Sequence, residues 1–218
     1  MLELPLNGLY RPAQVEDSSE PCLLVLMHGV GSNAQDLFGL APYVPAHYHV
    51  ISLEAPFAMG TDAYAWFMFS IHGDGSRTID AEQEQRSRVL VAQAIEAASA
   101  QLGVPAERVI VGGFSQGGIM SLSLLLTRPE LLGGICVWHS RLLPEVLPHQ
   151  VAATHLEGRS AWISHGMQDD VIPLSNAEAI RDHLQATPVQ LRYETYACAH
   201  TIHPQELQDS MQWLAERR

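Results

Sequence analysis

With 218 residues, 47% of them hydrophobic and 17% charged, the chain is long enough for one domain with a sizeable core and has an ordinary globular composition. Its 24 acidic and 12 basic side chains leave a formal net charge of −12, which argues against nucleic acid and anionic lipid as default partners. No apolar run approaches the roughly 20 residues of a membrane helix. The N-terminus, MLELPLNGLYRP, lacks the basic-then-apolar order of a signal peptide. Cys22, Cys136 and Cys198 are unclustered and odd in number, so they predict reduced thiols in a cytoplasmic protein, with no disulfide framework or zinc site.

In chain order, the polar stretch 15–21 predicts a turn before a first buried strand at 22–27. His28-Gly29-Val30-Gly31-Ser32-Asn33 follows as a glycine-rich loop, then a short helix at 34–41 and a second strand at 49–53. Residues 55–76 are irregular and hold Phe57, Tyr64, Trp66, Phe67, Met68 and Phe69 among Pro and Gly. Two readings stand for this segment. One is the wall or lid of a substrate pocket, built with Trp66, Phe67 and Met68; the other is a satellite hydrophobic cluster under a long loop. A long helix is predicted over 78–102, with acidic residues in its first turns and Gly103 as its stop. Strands at 109–111, 134–138, 161–164 and 191–196 and helices at 119–126, 174–185 and 205–216 complete the pattern. Short apolar strands alternating with helices specify an α/β chain: a single domain over 1–218 around a mostly parallel sheet with helices on both faces.

The chemistry concentrates at Gly113-Phe114-Ser115-Gln116-Gly117, between a buried strand and an apolar helix. Strand, G-x-S-x-G, helix is the context of a nucleophile elbow. A tight turn there lifts the serine hydroxyl clear of the sheet and aims free helix N–H groups at a developing oxyanion. A serine needs a base, and the base an orienting acid. Two strand-end loops downstream offer both: Asp169 or Asp170 as the acid, His200 or His203 as the base. An isolated loop carboxylate is ordinarily a helix cap, and an isolated loop histidine is ordinarily structural. The order after Ser115 is what raises these residues above that reading. The oxyanion donors fall to the Gln116 N–H and to the Val30 N–H in the early glycine-rich loop. No H-E-x-x-H, phosphate-binding loop or dinucleotide fingerprint occurs in context, so neither metal nor cofactor is expected.

His28-Gly29-Val30-Gly31-Ser32-Asn33, Trp66-Phe67, Gly113-Phe114-Ser115-Gln116-Gly117-Gly118, His165-Gly166-x-x-Asp169-x-x-Ile172-Pro173 and His200-Thr201-Ile202 together resemble the phospholipase/carboxylesterase family of α/β-hydrolases. The blocks keep the family's order from residue 22 nearly to the C-terminus. The resemblance implies Ser115 as nucleophile, Asp169 as acid and His200 as base, with Val30 and Gln116 forming the oxyanion hole. The chain departs from the family at Val30, where Leu is usual, and at Trp138-His139-Ser140-Arg141, where the eukaryotic thioesterases have Leu-Ser-Gly. The expected activity is hydrolysis of small carboxylic esters of short to medium acyl chains. A lysophospholipase or acyl-protein thioesterase is the alternative within enzymes, and a non-catalytic binding module the alternative outside them. Related enzymes suggest a homodimer.

Overall fold

The computed structural model describes residues 2–14, 20–74 and 76–217, so most of the turn expected over 15–21 lies outside the described residues. The strands are Gly8–Arg11 (β1), Cys22–Met27 (β2), Tyr48–Leu53 (β3), Phe57–Gly60 (β4), Ala63–Ala65 (β5), Phe69–Ile71 (β6), Arg77–Ile79 (β7), Val109–Phe114 (β8), Gly134–Trp138 (β9), Ser160–Gly166 (β10) and Gln190–Tyr196 (β11). The α-helices are Ala34–Phe38 (α1), Ala81–Leu102 (α2), Gln116–Thr127 (α3), Leu174–Gln185 (α4) and Pro204–Ala215 (α5). No described helix is long and apolar enough to cross a membrane.

Seven strands form one sheet in the order β1-β3-β2-β8-β9-β10-β11. Only β1 runs antiparallel, against β3; every other neighbouring pair is parallel. Strand residues point alternately to the two faces, and the cores follow that period. Leu23, Val25 and Met27 of β2 join Val91 and Ile95 of α2, Ile119 and Leu122 of α3 and Ile180 of α4. The intervening Cys22, Leu24 and Leu26 join Leu37 of α1 and Met211 and Trp213 of α5. Helices therefore cover both faces, which is why β2, β8 and β9 read as unbroken apolar runs. Every residue of α3 except Thr127 is buried.

Several boundaries differ from expectation for local reasons. Asp80 caps α2, its Oδ1 accepting the Gln83 N–H at 3.0 Å, so the helix starts at Ala81 and residues 77–79 become β7. Gly103 ends it at φ 67°, as expected. The helix expected over 34–41 stops at Phe38, and a 3₁₀ turn follows at Ala41–Tyr43. The segment read as irregular is two antiparallel hairpins, β4–β5 and β6–β7. The chain leaves β2 towards β3 on one side, while β8 lies on its other side. The loops after β2 and β8 thus flank the point where strand order reverses, the usual ligand position in an open parallel sheet.

Candidate active site

Ser115 joins β8 to α3 with φ 54° and ψ −114°. A non-glycine residue held there stores of order 1–3 kcal/mol of strain. Its peptide is pinned on both sides: the Ser115 N–H donates to the Trp138 carbonyl at 3.0 Å, and the Ser140 hydroxyl donates to the Ser115 carbonyl at 2.9 Å. The flanking glycines are steric necessities. A Cβ on Gly113 would collide with the Gly117 backbone, and one on Gly117 with the Met27 carbonyl. No side chain caps α3, so the amides of its first turn, Gln116 N–H included, lie at an uncapped helix N-terminus.

The loop after β2 packs directly on this elbow. A Cβ on Gly29 would lie 3.5 Å from Ser115 Cβ and 3.3 Å from the Phe114 ring, so the Val30 amide belongs to a segment laid against the serine. His28 anchors that segment from below. Its Nδ1 bonds the Gly29 carbonyl at 2.7 Å, its Nε2 accepts the Ala55 N–H at 3.1 Å, and burial pushes its pKa down, consistent with a neutral ring. On the other side, Gly31 N–H donates to Tyr64 O and Tyr64 N–H to Ser32 O, both at 2.8 Å.

The pocket-wall reading of Trp66 and Phe67 is corrected here. Both are sealed in the core, with 0% and 1% exposure, and only Met68 is partly exposed. The Gln116 side chain holds them there: its Oε1 accepts the Trp66 N–H at 2.8 Å and its Nε2 donates to the Phe67 carbonyl at 2.7 Å. Trp66 Nε1 donates to the His28 carbonyl at 2.9 Å, tying the hairpin to the loop after β2.

Asp169, on the loop after β10, and His200, on the loop after β11, meet at 2.6 Å between Oδ2 and Nδ1. The other carboxylate oxygen accepts the Val171 and Ile172 amides at 3.0 and 2.8 Å. Burial alone would push this carboxyl up; the bonds from His200, Ile172 and His139 outweigh it and hold the group below its ordinary value. With Nδ1 committed to Asp169, the remaining ring nitrogen of His200 is Nε2. The ring lies 4.7 Å, centroid to centroid, from Phe114, the residue before the serine. Asp170 is exposed, and His203 caps α5, its Nδ1 accepting the Gln205 N–H at 3.1 Å.

Sequence reasoning missed a third layer. His139, fully buried at φ 50°, places Nδ1 3.0 Å from Asp169 Oδ2 and Nε2 3.2 Å from Glu206 Oε2. Burial opposes its charge, but Glu206 and Asp169 together win and raise its pKa above the ordinary value. An imidazolium donates from both ring nitrogens and so satisfies both carboxylates at once. His165 stacks on it at 5.1 Å between ring centroids; burial is the largest influence on His165 and pushes its pKa down. Cys198, two residues from His200, is 8% exposed, and burial raises its thiol, with Glu206 and Asp169 adding to the effect. That leaves it a poor nucleophile.

A cavity of about 280 Å³ opens beside His200, lined by Leu37, Leu40, Phe114 and Ile202 with Asp36 and Thr201 at its polar edge. The apolar lining of this cavity comes from the α1 region and the loop after β11, and Trp66 and Phe67 take no part in it.

The sequence profile of the phospholipase/carboxylesterase family matches residues 13–217. The chain belongs to that family. Acyl-protein thioesterase 1 of Eremothecium gossypii is 31% identical over 186 residues, covering 84% of this chain and 74% of the relative. A probable carboxylesterase of Oryza sativa is 29% identical over 160 residues, 70% of this chain and 66% of the relative. The carboxylesterase of Bacillus cereus superposes with a TM-score of 0.82 over 98% of this chain and 95% of its own, at 20% identity, which supports the fold alone. As a member of this family the protein is a hydrolase of the carboxylesterase type, acting on esters or thioesters.

The family blocks pointed to Ser115, Asp169 and His200. The signal for His139 was present only as a departure, in the four residues Trp138-His139-Ser140-Arg141. Two of those four touch the candidate site directly, His139 through Asp169 and Ser140 through Ser115.

Proposed function

We propose that this protein is a serine esterase that cleaves carboxylic esters of short to medium acyl chains through Ser115, His200 and Asp169. His200 Nε2 takes the Ser115 proton as Oγ attacks the ester carbonyl. The amides of Val30 and Gln116 receive the oxyanion, each contributing about 3 kcal/mol of transition-state stabilisation. His200 returns the proton to the leaving alcohol, then activates the water that releases the acid. Asp169 holds the imidazole tautomer and offsets its developing charge.

The observation that carries this reading is the strained Ser115 at a strand-to-helix turn together with the 2.6 Å His200–Asp169 bond on neighbouring strand-end loops. The cavity of about 280 Å³ falls just below small-molecule sites, which run from roughly 300 to 1,000 Å³, and so favours short to medium acyl chains. The relatives named acyl-protein thioesterase favour thioesters as a second substrate class for the same chemistry.

The test is hydrolysis of p-nitrophenyl esters from acetate to palmitate by wild type and Ser115→Ala. The expected result is an optimum at short to medium chains and a loss of at least 10³-fold in kcat/KM in the variant. Retained turnover in purified Ser115→Ala would overturn the nucleophile. A palmitate optimum would overturn the chain-length argument and favour a lipid thioesterase.

A further inference from the structure

All 12 basic side chains of this acidic protein are arginines. Two of them, Arg77 and Arg141, converge on a second cavity, of about 240 Å³, lined also by Val171, Ile172, Pro173 and Asn176. It adjoins the candidate site on two sides. Arg141 directly follows Ser140, whose hydroxyl holds the Ser115 carbonyl, and the Val171 and Ile172 amides hold Asp169.

The arginines are not used up by the fold. Neither pairs with a carboxylate among the described residues. Arg77 is steadied by a bond from Nη2 to the Val171 carbonyl at 2.9 Å and by the Phe69 ring 5.6 Å away. Arg141 makes one long contact, from Nη1 to the Leu142 carbonyl at 3.5 Å. Burial, and then the like charge of Arg77, push Arg141 below its ordinary value, with Glu145 a partial offset. Two cations sharing one cavity with no carboxylate in ion-pair contact among the described residues is an arrangement that a bound anion relieves. The N-terminus of α4, twelve residues long and without a side-chain cap, meets the same cavity at Pro173.

We propose that this cavity is an oxyanion subsite, in which Arg77 and Arg141 grip a carboxylate or phosphate carried by the ester substrate. Its place beside the scissile bond rests on the Ser115–His200–Asp169 reading; its affinity for an anion does not. A substrate spanning both cavities has an apolar arm against Leu37, Leu40 and Phe114 and an anionic arm on the arginines. A planar guanidinium pair suits either oxyanion through forked hydrogen bonds.

The kinetic test compares 1-naphthyl hydrogen adipate with its neutral methyl ester. Wild type should favour the anionic ester by at least tenfold in kcat/KM, and Arg77→Gln and Arg141→Gln should each pull that ratio towards one. The ratio cancels any general damage to the site. The second measurement titrates adipate dianion and inorganic phosphate into Ser115→Ala protein by NMR, with and without the two arginine substitutions. Saturable binding weakened at least tenfold in the Arg77→Gln/Arg141→Gln protein supports the subsite even if no ester is turned over, and the anion that binds identifies the source. A wild-type ratio at or below one, with no arginine-dependent binding of either anion, overturns it.

Discussion

Replacing His139 with glutamine removes a positive charge from behind the Asp169 carboxylate and leaves the Glu206 carboxylate unanswered. The His139 and His200 rings lie 5.7 Å apart between centroids. A unit charge at that distance, at an effective dielectric of about 20, is worth about 3 kcal/mol, or roughly 2 pH units. The sign follows directly. Losing a nearby cation favours protonation at the reaction centre, so the active base form of the enzyme appears only at higher pH. The acid limb of the kcat/KM profile should therefore move up, by one to two units once neighbouring groups relax. The charged and titratable groups packed around the pair are Asp169, His165, Cys198 and Glu206, with Cys136 below. Adding Glu206→Gln to His139→Gln restores the net charge of the cluster, because it removes one anion for the cation lost. It also keeps a side-chain acceptor for the α5 capping box. The double variant should bring the limb most of the way back. A direct readout is ¹⁵N NMR of labelled histidine, where wild-type His139 should carry both ring protons above pH 6.5, its ordinary value. The same shift makes a stability claim. His139 is raised in the fold, so its contribution is fully present below the unfolded value of about 6.5 and is lost as pH rises through the folded value. A folded His139→Gln protein with an unmoved acid limb, or a neutral His139 at pH 6.5, would refute this reasoning.

Two further substitutions test the elbow and its clamp. Glycine takes the Ser115 backbone angles freely, whereas alanine keeps the offending Cβ. Ser115→Gly should thus be about 1 kcal/mol more stable than Ser115→Ala after allowing for glycine's looser unfolded chain, roughly 2–4 °C in calorimetry. Equal melting temperatures would mean the elbow stores no strain. Gln116→Ala strands the Trp66 N–H and the Phe67 carbonyl in the core while leaving the residue 116 amide in place. It should cost about 2–4 kcal/mol in urea unfolding, and a loss below about 0.5 kcal/mol would show that the clamp is idle.

What could be read in advance follows from how locally each feature is encoded. β2, β8 and β9 announce themselves because both faces are covered, so burial writes an unbroken apolar run into the sequence. β1 does not, because its GLYR is half exposed at the edge. The α/β-hydrolase architecture and the family were legible for the same reason: the blocks around Ser115, Asp169 and His200 each sit at a strand end. Trp66 and Phe67 show the limit. An aromatic pair in a Gly- and Pro-rich stretch looks like a pocket wall until a residue fifty positions away is seen to hold its backbone. Gln116 does this with its side chain, while the oxyanion proposal looks only at its amide. Glu206 is similar. Its spacing to His203 marks an ordinary helix cap, and the cap is real, its Oε2 accepting the His203 N–H at 2.9 Å. The same oxygen also faces His139, a pairing that no helical period encodes because the two residues are 67 apart. The departures, His139 and Arg141, stand where β9 delivers the chain to the candidate site, and the predicted pH dependence and the proposed anion subsite both rest on them.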